Sequence, residues 1–94
     1  MAINGLHHLA LTVRDMERSK AFYMGLLGFS VLSESDDDGH QVARLQHPDS
    51  SVLISLHVHA ANAGHTFDER TTGLDHFALA VDTAEELDRW AEHL

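Results

Sequence analysis

Nine histidines and no cysteine among 94 residues set the chemistry open to this chain. Without thiols there is no disulfide, no thiolate nucleophile and no zinc–thiolate site. Imidazole nitrogen and carboxylate oxygen are the strong metal ligands that remain. Two histidines stand out by repetition. Gly5-Leu6-His7-His8-Leu9-Ala10-Leu11-Thr12-Val13 returns as Gly73-Leu74-Asp75-His76-Phe77-Ala78-Leu79-Ala80-Val81, with His8 and His76 at the same place in each copy. A repeat of this kind marks one structural unit used twice. Alternation puts the bulky apolar residues of each copy on one face. The opposite face carries His8, Ala10 and Thr12 in the first copy and His76, Ala78 and Ala80 in the second. Small neighbours leave room above an imidazole. Two such strands related by a pseudo-two-fold axis would aim both imidazoles at one point, so His8 and His76 are expected to be metal ligands. For either histidine alone, a hydrogen-bonded strand residue is the plainer reading.

A third ligand is sought on the strand 52–59, which alternates most cleanly. Val52, Ile54, Leu56 and Val58 point one way; Leu53, Ser55, His57 and His59 point the other. His57 is the expected third ligand, and His59, at the strand end, is expected in solvent. His7 alternates to the helix side. His40, His47, His65 and His93 fall in turns, a connector or the terminal helix and read as surface residues. Asp36 to Asp38 reads as a solvated hairpin tip. Glu34, on a strand, could face inward. Asp68 and Glu69, beside Arg70, read as a solvated loop, with a lid or dimer contact as the alternative. Tyr23 and Trp90 read as core. The sequence holds no Gly-rich phosphate loop, no G-x-S-x-G elbow and no H-E-x-x-H pair.

The elements that must position these residues follow from the same patterns. After a strand at 7–13, Asp15 can cap a helix over 16–27 that Gly28 stops. Strands are expected at 29–35, 40–46 and 52–59, separated by an Asp-Gly hairpin turn and a turn at Pro48. A long connector, 60–73, leads to the repeat strand, 74–81. Thr83-Ala84-Glu85-Glu86 has the spacing of a capping box and opens a helix with Leu87, Trp90, Ala91 and Leu94 as its apolar stripe. The order is β-α-β-β-β, connector, β-α: an α+β chain in which 1–94 is a single domain. Residues 1–59 form a first βαβββ module and 74–94 the start of a second. A matching second module would need three more strands, so it reads as cut short after its βα, and an inactive fragment is one reading of the whole. Open sheet edges and a small core favour pairing with another chain.

Composition bounds the partners. The formal net charge is −9 with six Lys+Arg, which excludes the basic footprint of a nucleic-acid binder and disfavours an anionic membrane surface. The sequence has no apolar run of the ~20 residues a membrane span needs. The segment 1–5 lacks the regions of a signal peptide, and a cytoplasmic location is expected.

The two copies H-L-A-L-T-V-R-D and H-F-A-L-A-V-D, with Phe22-Tyr23 and Leu27-Gly28-Phe29 after the first, resemble the vicinal oxygen chelate superfamily. That group includes glyoxalases, bleomycin- and fosfomycin-resistance proteins, extradiol dioxygenases and epimerases. The resemblance covers nearly the whole chain and implies paired βαβββ modules around a concave metal site. It assigns His8 and His76 as the first-strand ligands of the two modules. Where the family often places a Glu on the last strand of a module, this chain has Ser55, with His57 two residues on as the available substitute. The implied cofactor is a divalent ion (Fe, Zn, Ni, Mn or Co) with positions open to two adjacent oxygens of a small-molecule substrate. The implied assembly is a homodimer. The competing expectation within the same family is a metal-free antibiotic-binding protein that uses the concave face as a pocket.

Overall fold

The computed structural model describes residues 1–62 and 64–94. A four-stranded mixed sheet carries the fold. Its strands are β1 (Leu9–Thr12), β2 (Ser30–Asp37), β3 (His40–Gln46) and β4 (Leu53–His59), in the spatial order β1-β4-β3-β2. β2, β3 and β4 are antiparallel neighbours, while β1 lies parallel to β4 with Leu11 opposite Leu56 and Thr12 opposite His57. A parallel pair needs a crossover. Helix α1 (Met16–Lys20) and its π-helical continuation Ala21–Leu26 begin it, and β2 and β3 complete the route to β4.

α1 starts where Asp15 accepts a hydrogen bond from the Arg18 backbone N–H at 3.1 Å. The expected single helix over 16–27 is α-helical only to Lys20. The Leu27 N–H then reaches the Phe22 carbonyl, at 3.2 Å, and widens the turn. A wider turn rotates the inward face. Met16, Tyr23, Met24 and Leu27 pack on the sheet, while Phe22 and Leu26 are exposed. Gly28, at φ +82°, reverses the chain into β2.

The side of the sheet that faces α1 holds the core. Phe29, Ala43, Leu45, Ile54 and Leu56 form one buried cluster, with Leu11, Val13 and Val31 packed against it. β2 is an edge strand whose Glu34, Asp36 and Asp37 place charge along it, a common guard against further pairing. The hairpin to β3 turns through Asp38 at φ +50° and Gly39 at φ +83°. Two consecutive positive φ angles define the tight turn that an Asp-Gly pair favours.

The repeat segment 74–81 differs from expectation. It carries no strand ladder, and Leu74, Phe77, Leu79 and Val81 are exposed. β1 is a strand because β4 supplies its hydrogen-bond partner; among the described residues the second copy has no such partner. α2 (Ala84–His93) forms as its cap predicts, with Thr83 accepting from the Glu86 N–H at 3.1 Å. It touches the first half of the chain where His93 Nε2 lies 2.8 Å from the Leu26 carbonyl oxygen. Leu87 and Leu94 of its apolar stripe are exposed and Trp90 is half-buried. Among the described residues no helix is long and apolar enough to cross a membrane.

Candidate metal centre

Cross-strand partners share a face of the sheet, so the register assigns every side chain to a side. On the face away from the core, Thr12, His57, Val42 and Ser35 lie in one row. Ala10, Ser55, Arg44 and Ser33 lie in the next, and His59, His40 and Asp37 lie in the row towards the hairpin. Leu11, Leu56, Ala43 and Glu34 sit on the opposite, helix-facing side. Glu34 therefore does not face the histidines. It pairs with Lys20, whose basicity the hydrogen bond to Glu34 raises above the ordinary lysine value.

His57 stands at the centre of the polar face, as the alternation of 52–59 predicts. Its Nε2 lies 3.0 Å from the Ser55 hydroxyl, and its Nδ1 lies 2.9 Å from Nε2 of His40. The His40 ring stacks on His59, centroids 4.1 Å apart. One ring nitrogen from each of His40, His57 and His59 falls within 4.8 Å of the other two. Burial, and then the neighbouring His40, His59, Arg44 and His8, hold His57 below the ordinary histidine range. A histidine kept neutral has a free lone pair for a metal.

The other two expected ligands stand elsewhere. His8 lies just before β1, exposed, with its Nδ1 2.8 Å from Nδ1 of His7, yet close enough for its charge to act on His57. His76 lies on the unpaired second copy with its side chain 81% exposed, and its Nδ1 lies 2.7 Å from an Asp75 carboxylate oxygen. The described residues thus gather His57 with His40 and His59 rather than with His8 and His76. His40 and His59 were expected in solvent. The signal for them was present in the Asp38-Gly39 turn, which starts β3 at His40 and sends His40, Val42 and Arg44 to one face. Only the β3–β4 register, with His40 opposite His59, completes it.

The remaining histidines are accounted for locally. His47 packs edge-on to Phe29 at 5.3 Å and accepts the Asp49 N–H. Residues such as His65, Phe67 and Leu74 line a surface depression of about 680 Å³. It shares no residue with the histidine group. Near it Asp68 and Arg70 form a bidentate ion pair, which lowers the Asp68 carboxyl pKa and raises that of the Arg70 guanidinium.

A sequence profile of the Glyoxalase/Bleomycin resistance protein/Dioxygenase superfamily matches residues 5–94. The chain belongs to this superfamily. Among its relatives, the catechol-2,3-dioxygenase of Bacillus subtilis (strain 168) is 36% identical over 78 residues, which are 82% of this chain and 25% of that protein. The uncharacterized protein YwkD of the same organism is 46% identical over 35 residues, 37% of this chain and 27% of that protein. The chain thus spans about a quarter of the length of the curated relatives it matches. A glyoxylase/bleomycin resistance protein/dioxygenase domain from Frankia sp. EAN1pec superposes with a TM-score of 0.88 at 30% identity, covering 98% of this chain and 67% of that one. The fosfomycin resistance protein FosX of Listeria monocytogenes, complexed with Mn(II) and 1S,2S-dihydroxypropylphosphonic acid, shares the fold at a TM-score of 0.72 and 23% identity. That match covers 98% of this chain and 70% of FosX. The superfamily's α+β fold, expected from the resemblance, is the fold of this chain.

Proposed function

We propose that this chain belongs to a metal-dependent protein of the glyoxalase or dioxygenase type, acting on a small oxygenated molecule at the polar face of the sheet. The observation that carries the proposal is His57: half-buried on the polar face, held below its ordinary basicity, and fixed by Ser55 on one ring nitrogen. The donor chemistry fits a divalent transition ion, since imidazoles gather there and nothing in the chain offers a thiolate. In this reading His8, His76 and His57 are ligands, His76 reaching the site once the second copy pairs as the first does. A divalent ion so held supplies Lewis acidity towards two neighbouring substrate oxygens.

The chain's own residues do the rest. The Ser55 hydroxyl, 3.0 Å from His57 Nε2, holds the orientation of that ring. Arg44, on the same face in register with Ser55, offers a cation to an anionic substrate oxygen. Val42, buried opposite His57, keeps that side of the ring dry. The relatives support the substrate class: one is named for catechol, and FosX is complexed with a dihydroxypropylphosphonic acid, both bearing adjacent oxygens. The working form is a cytoplasmic homodimer in which a partner protomer pairs with 74–81 and covers its exposed apolar residues.

The experiment is titration of tag-free protein, with and without metal, against a vicinal diol and against bulky antibiotics. Diol binding that requires metal supports the proposal. Tight binding of a bulky antibiotic by metal-free protein, indifferent to added metal, would establish the metal-free alternative.

A further inference from the structure

We propose that His40, His57 and His59 form a transition-metal site at the hairpin end of the sheet, which shares His57 with the proposed function but assembles without His8 and His76. The register builds it. His40 and His59 are directly opposed across β3 and β4, and His57 is one same-face position along from His59. All three histidines thereby spring from strand backbone rather than from a loop. The 2.9 Å between His40 Nε2 and His57 Nδ1 is the distance of a hydrogen bond. It is also close to the edge of a coordination polyhedron whose metal–nitrogen bonds are roughly 2.0–2.1 Å. A metal ion can take the place of the single proton these two nitrogens share.

A second, independent feature supports the site. Histidine ligands commonly have their other ring nitrogen held by a hydrogen-bond partner, which fixes ring orientation. The buried Ser55 hydroxyl does this for His57 Nε2, leaving Nδ1 directed at His40. The donor set selects the metal class. Three imidazoles without a carboxylate suit Zn, Ni, Co or Cu and disfavour Mg, Ca and Mn. His59 is exposed, so water or a substrate oxygen can reach an ion held there.

The test titrates the full, tag-free chain with Co(II) and Zn(II), following Co(II) visible absorption and binding heats. The variants are His40→Gln, His59→Gln, Ser55→Ala and the double variant His8→Gln/His76→Gln. Loss of a partner that only orients a ligand costs about 10- to 100-fold in affinity, and loss of a ligand at least as much. The expected result is one equivalent of Co(II), weakened at least about 100-fold by His40→Gln or His59→Gln and about 10-fold by Ser55→Ala. Because 74–81 is unpaired in this chain and His76 stays exposed, the His8→Gln/His76→Gln variant should keep wild-type affinity. Unchanged Co(II) binding in His40→Gln and His59→Gln overturns the site. If the His8→Gln/His76→Gln variant then loses the metal, the proposed function stands without this inference; if no protein binds Co(II), both fall. Far-UV circular dichroism of each variant confirms that the sheet is intact.

Discussion

His57 links the two polar arrangements on this face, because one nitrogen meets Ser55 and the other meets His40. Its depressed basicity carries a sign that can be measured. The unfolded chain protonates this residue near the ordinary value of about 6.5, before the folded chain does. Its contribution to stability is therefore complete above that value and lost as pH falls through the lower folded value. Denaturant midpoints of metal-free protein between about pH 7 and pH 5 should fall more steeply for wild type than for His57→Gln. Parallel curves would contradict the assignment. At this scale the sequence was partly legible. Alternation alone put His57 on the polar face. His40 was misplaced because its position at the mouth of a turn looks solvated until the register sets it against His59.

The hairpin between β2 and β3 sets where His40 stands. Gly39 has φ +83°, and a Cβ there would come 3.2 Å from the Cβ of Ala60, whose N–H bonds the Gly39 carbonyl at 2.8 Å. Gly39→Ala should cost about 1–2 kcal/mol from the left-handed backbone alone, read as a lower denaturation midpoint. Weaker metal binding should accompany it as His40 shifts. On the other face Leu56 is wholly buried in the cluster that seats β4. Leu56→Ala should cost about 2–5 kcal/mol in the same measurement; a loss below 1 kcal/mol would mean that this face is not the core. β3 and β4 followed from alternation and turn residues, because each buries one face and exposes the other. The π-helical turn did not, since its cause is the fit of Tyr23, Met24 and Leu27 to the sheet rather than a local propensity. Segment 74–81 carries a strand pattern, yet a strand also needs a neighbour, and sequence pattern does not supply one.

Across the whole molecule, apolar residues stay exposed where the second copy lies, including Leu74, Phe77, Leu79 and Val81. Homodimer formation should cover them, so sedimentation should show concentration-dependent association that Phe77→Ser and Leu79→Ser weaken. A monomer at every concentration would contradict the dimer. The superfamily fold and the polar face of the sheet together make one central claim, that this face holds a divalent metal through His57. Metal content of tag-free protein, loaded with Zn(II) at neutral pH and dialysed, tests it most directly. The account predicts one equivalent retained by wild type and lost by His57→Gln. Retention unchanged by that substitution, or no retained metal in wild type, would contradict it.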